Sequence, residues 1–270
     1  MSAIRHFGVG AIAIALSATL SLALSLALCL ALSLALASAA HADDTCRLAT
    51  IGKATVRATT DEGIALEDGR VVTLAGVRLP TPADAELTAG TEIVLKRAGA
   101  AEIDRYGRLA AHVFIIEGNI ERWFQADLVG AGLAQVSTRI GDAACARALF
   151  AVEQAAREAK LGLWADPYYV MNKAEDRGEV LKSRGRFALV EGTVLSVRES
   201  GGTIYVNFGR RWSEDFTVTI AKRNERAFTA AGLEPKKLAG RRVRIRGWVE
   251  QRGGPWVDAA RPEQIEVLKD

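Results

Sequence analysis

Apolar and β-branched residues alternate with polar ones, in short runs closed by Gly, Asp or Pro, over much of the chain after residue 45. The runs Cys46–Thr59, Gly63–Leu66, Val71–Arg78, Thr91–Arg97 and Arg108–Ile116 predict five strands, because period-two alternation buries one face of an extended segment. Five such strands suit a small barrel. The period then changes, and Ile120, Trp123, Phe124, Asp127 and Leu128 fall at helical spacing. A second helix opens at the capping residue Asp142, carries Cys145, Leu149, Val152, Ala156 and Ala159 along one face, and stops at Gly162. That stripe is core packing rather than a cofactor-binding face. From Asp166 to Arg186 no period is sustained, and the segment reads as a linker. Alternation then resumes: Phe187–Arg198, Thr203–Phe208, Asp215–Ala221, a helix from about Asn224 to Ala231, Arg241–Gln251 and Val257–Leu268. Five strands with a helix between the third and fourth match the OB-fold order. The chain therefore reads as mainly β with added helices, an α+β protein, with domains at 43–165 and 186–270 joined by a linker at 166–185. No residue-level repeat relates the two.

Ahead of the strands, Met1 to Ala42 begins with Arg5 and His6, continues through alanine, leucine and serine without a charge, and closes on Ala40-His41-Ala42. That is the pattern of a cleaved secretory signal, which places the protein outside the cytoplasm, periplasmic or secreted. The apolar run from Phe7 to Ala39 is also long enough to span a bilayer, so a membrane anchor is the alternative; a cleaved signal leaves no stable membrane contact. Cleavage leaves Cys46 and Cys145 of the three cysteines and His112 of the three histidines. A lone histidine excludes a zinc cage and a serine-histidine-aspartate triad with a histidine to spare. His112, mid-strand between Ala111 and Val113, reads as structural or solvent-facing. In an oxidising compartment Cys46 and Cys145 form a disulfide, and two separate buried thiols are the alternative. Oligomeric state is not readable from the sequence.

Charge carries less information. A pI near 8.8 and a formal charge of +3 fall short of the cationic excess of a dedicated nucleic-acid binder. Chemistry is concentrated instead in Asp104-Arg105-Tyr106-Gly107-Arg108, which leads into the last strand of the first set. This run, the Leu128-Val129 to Gly132-Leu133-Ala134 turn, and Ala146-Arg147 to Gly162-Leu163-Trp164 resemble the staphylococcal-nuclease (thermonuclease) family over roughly Ala54 to Trp164. The resemblance implies an OB barrel with added helices in which Arg108 binds the phosphate of DNA or RNA, with Arg105 and Tyr106 near the nucleotide. Arg108 as a surface salt bridge at the start of a strand is the plainer reading.

The other half of the family's site departs from its pattern. Where the family has Arg-Leu-x-Gly-Ile/Val-Asp-x-Pro-Glu, this chain has Thr73-Leu74-Ala75-Gly76-Val77-Arg78-Leu79-Pro80-Thr81. Thr73 stands for the second arginine, Arg78 for the metal aspartate and Thr81 for the catalytic glutamate. Upstream, Thr60-Asp61-Glu62-Gly63 replaces Asp-Gly-Asp-Thr, which leaves Glu62 at a metal position with Asp61 beside it. Asp84 and Glu86 are further acids nearby. A cation at Arg78 is the reverse of what Ca²⁺ wants, since its ligands are oxygens, many of them carboxylate.

The second domain resembles OB-like modules that follow thermonuclease domains in exported bacterial proteins. Tyr205, Arg210, Arg211, Trp212, Lys222 and Arg223 on and beyond its second and third strands are candidates for stacking and phosphate contacts with single-stranded nucleic acid or nucleotides. The basic run from Lys236-Lys237 to Arg241-Arg242, Arg244 and Arg246 reads as a solvated face, or more sharply as a phosphate-tracking stripe. Three functions remain open at this point. They are a nucleic-acid or polyanion binder with a degenerate nuclease site, an active Ca²⁺-dependent nuclease using Arg108, Glu62 and Asp61, and an envelope scaffold binding protein or glycan. A cofactor, Ca²⁺, is implied only by the active reading.

Overall fold

The computed structural model describes residues 46–80, 85–99, 103–211 and 213–268. The expected signal at 1–42 lies outside the described residues, as do Thr81, Asp84 and Trp212. No helix among the described residues is long and apolar enough to cross a membrane. Cys46–Asp270 form one compact unit that contains two strand barrels.

In the first barrel β1 (Thr50–Thr60) pairs antiparallel with β2 (Gly63–Leu66) and with β5 (Glu92–Arg97). β2 pairs with β3 (Val71–Leu74), β5 pairs with β6 (Leu109–Glu117), and a parallel pairing of β3 with β6 closes the ring. The alternation read from the sequence sets the interior, where Val56, Ile64, Leu66, Val72, Ile93, Leu95, Val113 and Ile115 form one buried cluster. Helices α1 (Phe124–Gly130) and α2 (Ala143–Glu158) close it by adding Phe124, Leu128, Leu149 and Phe150. Asp142 caps α2 as expected, accepting from the backbone N–H groups of Ala144 (2.8 Å) and Cys145 (3.0 Å). Cys145 is joined by a disulfide to Cys46, 99 residues earlier. Closing a loop of that length removes roughly 4 to 5 kcal/mol of chain entropy from the unfolded state.

Local structure departs from the expected pattern in two places that shape the site. Ile120–Trp123 is a strand, β7, rather than a helical turn: it pairs with β6 across the turn at Gly118, leaving Ile120 69% exposed. The apparent helical spacing comes from a hairpin abutting a helix at Trp123. The run Val71–Arg78 breaks at Gly76, where φ is +77° and a Cβ would lie 3.0 Å from Ile140 and 3.3 Å from the His112 ring. Beyond the break, β4 (Val77–Arg78) pairs with β8 (Gln135–Val136).

His112 is structural. It is fully buried, its Nε2 lies 2.8 Å from the carbonyl of Ile140, and its ring meets Trp123 edge-on. Burial pushes its pKa down to about 4, against a smaller opposing effect of the Ile140 hydrogen bond, so it is neutral at pH 7.

Residues 166–185 carry structure of their own. β9 (Asn172–Lys173) pairs parallel with β10 (Phe187–Thr193), and Asp176 caps α3 (Arg177–Lys182). In the second barrel β10 leads directly into β11 (Ser196–Ser200), and the two act as one bent first strand. β10 pairs with β14 (Arg242–Trp248), and β11 pairs with β12 (Thr203–Asn207). β12 then pairs with β13 (Thr217–Ala221), and β13 pairs parallel with β16 (Gly254–Asp258). This is the strand order of the first barrel, with α4 (Glu225–Ala230) between the third and fourth strands. β15 (Glu250–Arg252) forms a hairpin with β16, and β17 (Ile265–Val267) adds to the outside of β14. Ile204, Val206, Phe216, Val218, Ile220 and Phe228 fill the interior.

The inner part of the arginine run is not a solvated face: Arg244 and Arg246 are buried, while Arg242 keeps its side chain exposed. Register places Glu191 of β10 and Glu266 of β17 opposite Arg244, which bonds both at 3.0 Å. Arg242 pairs with Glu191 as well. Arg246 has no exposed surface, because it lies against α2 of the first barrel: its Nη1 donates to Glu153 (3.0 Å) and to the Val136 carbonyl (3.0 Å), and its Nη2 donates to Glu266 (3.1 Å). The guanidinium also sits 4.1 Å from the centre of the Phe150 ring. Glu153, itself fully buried, accepts from the Val136 N–H (2.7 Å) and from Arg157 (2.9 Å).

Removing one partner of such a cluster leaves a buried charge unanswered, at a cost of about 3 to 5 kcal/mol. Arg246→Met is expected to lose about that much in urea unfolding. Arg246→Met with Glu153→Gln, which keeps an acceptor for Val136 but removes the stranded charge, is expected to recover about half of it. Equal losses in the two variants would contradict the assignment.

Candidate functional site

The run Asp104 to Arg108 is a turn organised by one carboxylate. Asp104 Oδ1 accepts from the N–H groups of Tyr106 (2.9 Å) and Arg108 (3.0 Å), and Gly107 takes φ +79°, a conformation that favours glycine. The N–H of Arg108 foremost, with its guanidinium and the Tyr106 N–H, holds the Asp104 carboxyl below the usual carboxylate range. Asp104 also takes Arg108 directly: Oδ2 accepts from Nε at 2.8 Å and lies in an ion pair 2.8 Å from Nη2. The remaining edge of Arg108 reaches the Glu62 carbonyl from Nη1 at 3.3 Å. Tyr106, 67% exposed, lies between two cations, with Arg105 4.8 Å and Arg108 5.2 Å from its ring centre.

Arg108, Asp61 and Glu62 line one cleft of about 240 Å³ with Thr60, Thr73 and Leu79. The expected first-barrel residues are therefore brought together by the β1–β2 turn and the start of β6. Electrostatically the cleft is poor for a phosphate. Among the described residues Arg108 is the cation of its lining, is already held by Asp104, and shares the cleft with Asp61 and Glu62. The second-arginine position, Thr73, supplies only a hydroxyl.

The described donors, which do not include Asp84, do not fit Ca²⁺. Asp61 and Glu62 both lie on an exposed turn, Glu86 is exposed, and no group of three or more His, Cys, Asp or Glu side chains is positioned to hold a metal among the described residues. Arg78, at the position where the resemblance implies a metal carboxylate, is not among the residues lining the cleft. Its guanidinium lies 4.7 Å from the centre of the Trp248 ring, on β14 of the second barrel. Trp248 is 51% exposed and meets Phe187 edge-on, so it packs between the barrels rather than inside one.

In the second barrel, Tyr205 and Arg210 border a cleft of about 600 Å³. Tyr205 also borders a smaller one of about 280 Å³ with Arg223 and Trp256. The other two described candidates are engaged by acids: Lys222 bonds Glu199 and Glu225, both at 2.8 Å, and Arg211 pairs with Glu214 at 3.3 Å. Phe208 is buried against Phe216, while Tyr205 is half-buried on the outer face, as a three-residue spacing on a strand requires.

Sequence reading missed the role of Asp104 in fixing Arg108, and it missed Arg198, which borders the larger cleft. The Asp-x-Tyr-Gly-Arg spacing carried the first signal. The second was available in strand alternation, which sets Arg198 on the outer face.

Residues 83–166 match the family model described as Staphylococcal nuclease homologue, a family with a nuclease-like, nucleic-acid-related role. The matched segment includes Arg105, Tyr106 and Arg108 and begins downstream of Asp61, Glu62, Thr73 and Arg78. No curated protein matches the chain.

Restoring the acid at position 78 is not expected to restore a metal site. Arg78→Asp should show no calcium binding by titration calorimetry in the millimolar range, and should lose about 0.5 to 2 kcal/mol of stability with the contact to Trp248. Calcium binding by this variant would show that residue 78 faces the cleft.

Proposed function

We propose that the protein binds nucleic acid on a nuclease-type barrel that no longer cleaves efficiently, and that it acts outside the cytoplasm. The observation that carries the first part is Arg78: where hydrolysis would call for a metal carboxylate, the chain has a cation committed to the second barrel. Phosphodiester hydrolysis needs charge stabilisation around the phosphorus and an activated water. One arginine, already bonded to Asp104, supplies a fraction of that. Loss of a catalytic carboxylate and a phosphate arginine commonly costs several orders of magnitude in rate. The Tyr106 ring, exposed between two cations, remains suited to a nucleotide. Export is supported by the apolar segment before Ala42 and by the Cys46–Cys145 disulfide, a bond at home in oxidising compartments.

The convergence of Arg108, Asp61 and Glu62 on one cleft favours a second reading, an active phosphodiester hydrolase. The test is degradation of plasmid DNA, single-stranded DNA and RNA, with and without calcium, by the protein and by Arg108→Ala. Rates indistinguishable between the two, with retained oligonucleotide binding by the unaltered protein, are the expected outcome. Calcium-dependent cleavage far above the Arg108→Ala rate would establish the active enzyme.

A further inference from the structure

Register builds cross-strand rows on the outer face of the second barrel. Arg198 of β11 stands opposite Tyr205 of β12, Tyr205 opposite Thr219 of β13, and Thr219 opposite Asp258 of β16. Directly paired positions project from the same face of a sheet, so these four form one row, about 15 Å long at ordinary strand spacing. Ser196, Asn207, Thr217 and Trp256 form the row beside it. The intervening Ile204, Val206, Val218, Ile220 and Val257 point the other way and fill the barrel.

The two ends of the first row differ in electrostatics. At β16 the polar groups are satisfied among themselves: Asp258 accepts from Thr219, from Trp256 Nε1 at 2.9 Å and from Arg252 at 2.6 Å. Burial pushes the Asp258 carboxyl up, but those three donors outweigh it and hold the group below its ordinary range. At the β11 end the cations are open: among the described residues the side chains of Arg198 and Arg210 have neither an ion pair nor a hydrogen bond, and they line the 600 Å³ cleft together with Ser196, Ser200, Tyr205 and Asn207. No described residue lining that cleft is a carboxylate.

Six other cations of the barrel, Arg211, Lys222, Arg242, Arg244, Arg246 and Arg252, each hold a carboxylate instead. The Arg108 cleft differs too, since Arg108 is paired with Asp104 and shares its lining with Asp61 and Glu62. Two unpaired guanidiniums in an acid-free concavity keep their field and concentrate anions. Guanidinium forks match phosphate oxygens, and a tyrosine face accepts any base. The volume lies in the range of small-molecule pockets, about 300 to 1,000 Å³, which accommodates a nucleotide.

We infer that this cleft is a single-strand nucleic-acid subsite in which Arg198 and Arg210 hold a phosphodiester and the Tyr205 ring stacks a base. The inference rests on the nucleic-acid reading above and makes the second barrel, rather than the Arg108 cleft, the stronger contact. An acidic glycan would use the same cations without needing the planar stack on Tyr205.

The test is fluorescence anisotropy of a labelled ten-residue oligothymidylate at two salt concentrations, with a uronate oligosaccharide as the alternative ligand and thermal melts to confirm folding. Arg198→Gln/Arg210→Gln should weaken oligothymidylate binding at least tenfold and flatten the log–log salt slope by roughly 0.7 to 1.4. Tyr205→Leu should weaken it roughly tenfold while Tyr205→Phe stays within about twofold. Lys53→Gln/Arg57→Gln, two exposed cations of the first barrel, matches the charge change and should alter binding less than about twofold. Oligothymidylate binding that survives Arg198→Gln/Arg210→Gln but is abolished by Arg108→Gln would overturn this inference and leave the nucleic-acid reading in place. Uronate binding through Arg198 and Arg210 with no oligothymidylate binding would overturn both.

Discussion

A guanidinium with no exposed surface needs partners where it lies, and both terminal nitrogens of Arg246 find them, drawn from both barrels, while its Nε has none. Glu153, the Val136 carbonyl and the Phe150 ring come from the first, and Glu266 comes from the second. Each group would be costly where it lies without the others. The cluster therefore fixes where α2 meets β14, and the rest of the contact follows from it. Arg78 reaches Trp248, and Cys46 to Asp270 forms one compact unit instead of two barrels on a tether.

That junction bears on the chemistry of the first barrel. β4 leaves the closed ring at Gly76 to pair with β8, the same strand whose Val136 carbonyl binds Arg246. Arg78 thus belongs to the junction by geometry as well as by charge. The segment beyond Gly76 serves to hold a second barrel. What stays at the cleft is a well-made turn presenting one arginine, with its carboxylate partner built into the turn. Arg198 and Arg210, beside Tyr205, have side chains without an acid partner among the described residues.

Much of the fold was legible because alternation is a local property. Ile93, Leu95, Val113 and Ile115 face inward as their period required, and Asp142 begins α2 where a capping residue should. Ile120 and Trp123 misled because a hairpin ending next to a helix mimics helical spacing over a few residues. The cleft was legible in part, since Arg108, Asp61 and Glu62 were readable from their motif and do meet. The fate of the arginine stripe was not. Arg246 and Glu153 are 93 residues apart, and a lone stretch of alternating arginines does not reveal whether water, phosphate or a distant carboxylate will face it. Arg198 was hidden for a related reason. Its partner across the strands, Tyr205, is set by register, and its lack of an acid partner becomes visible only in the folded structure.

The account places ligand contact on the outer face of the second barrel, and photocrosslinking addresses that placement directly. A halogenated single-stranded oligonucleotide would be irradiated with the protein, the complex digested, and the modified peptides located by mass spectrometry. Crosslinks on the peptide containing Tyr205, with the oligonucleotide recovered at full length, are the predicted result. Crosslinks confined to the Tyr106–Arg108 turn, accompanied by shortened oligonucleotide, would contradict the account and return both binding and cleavage to the first barrel.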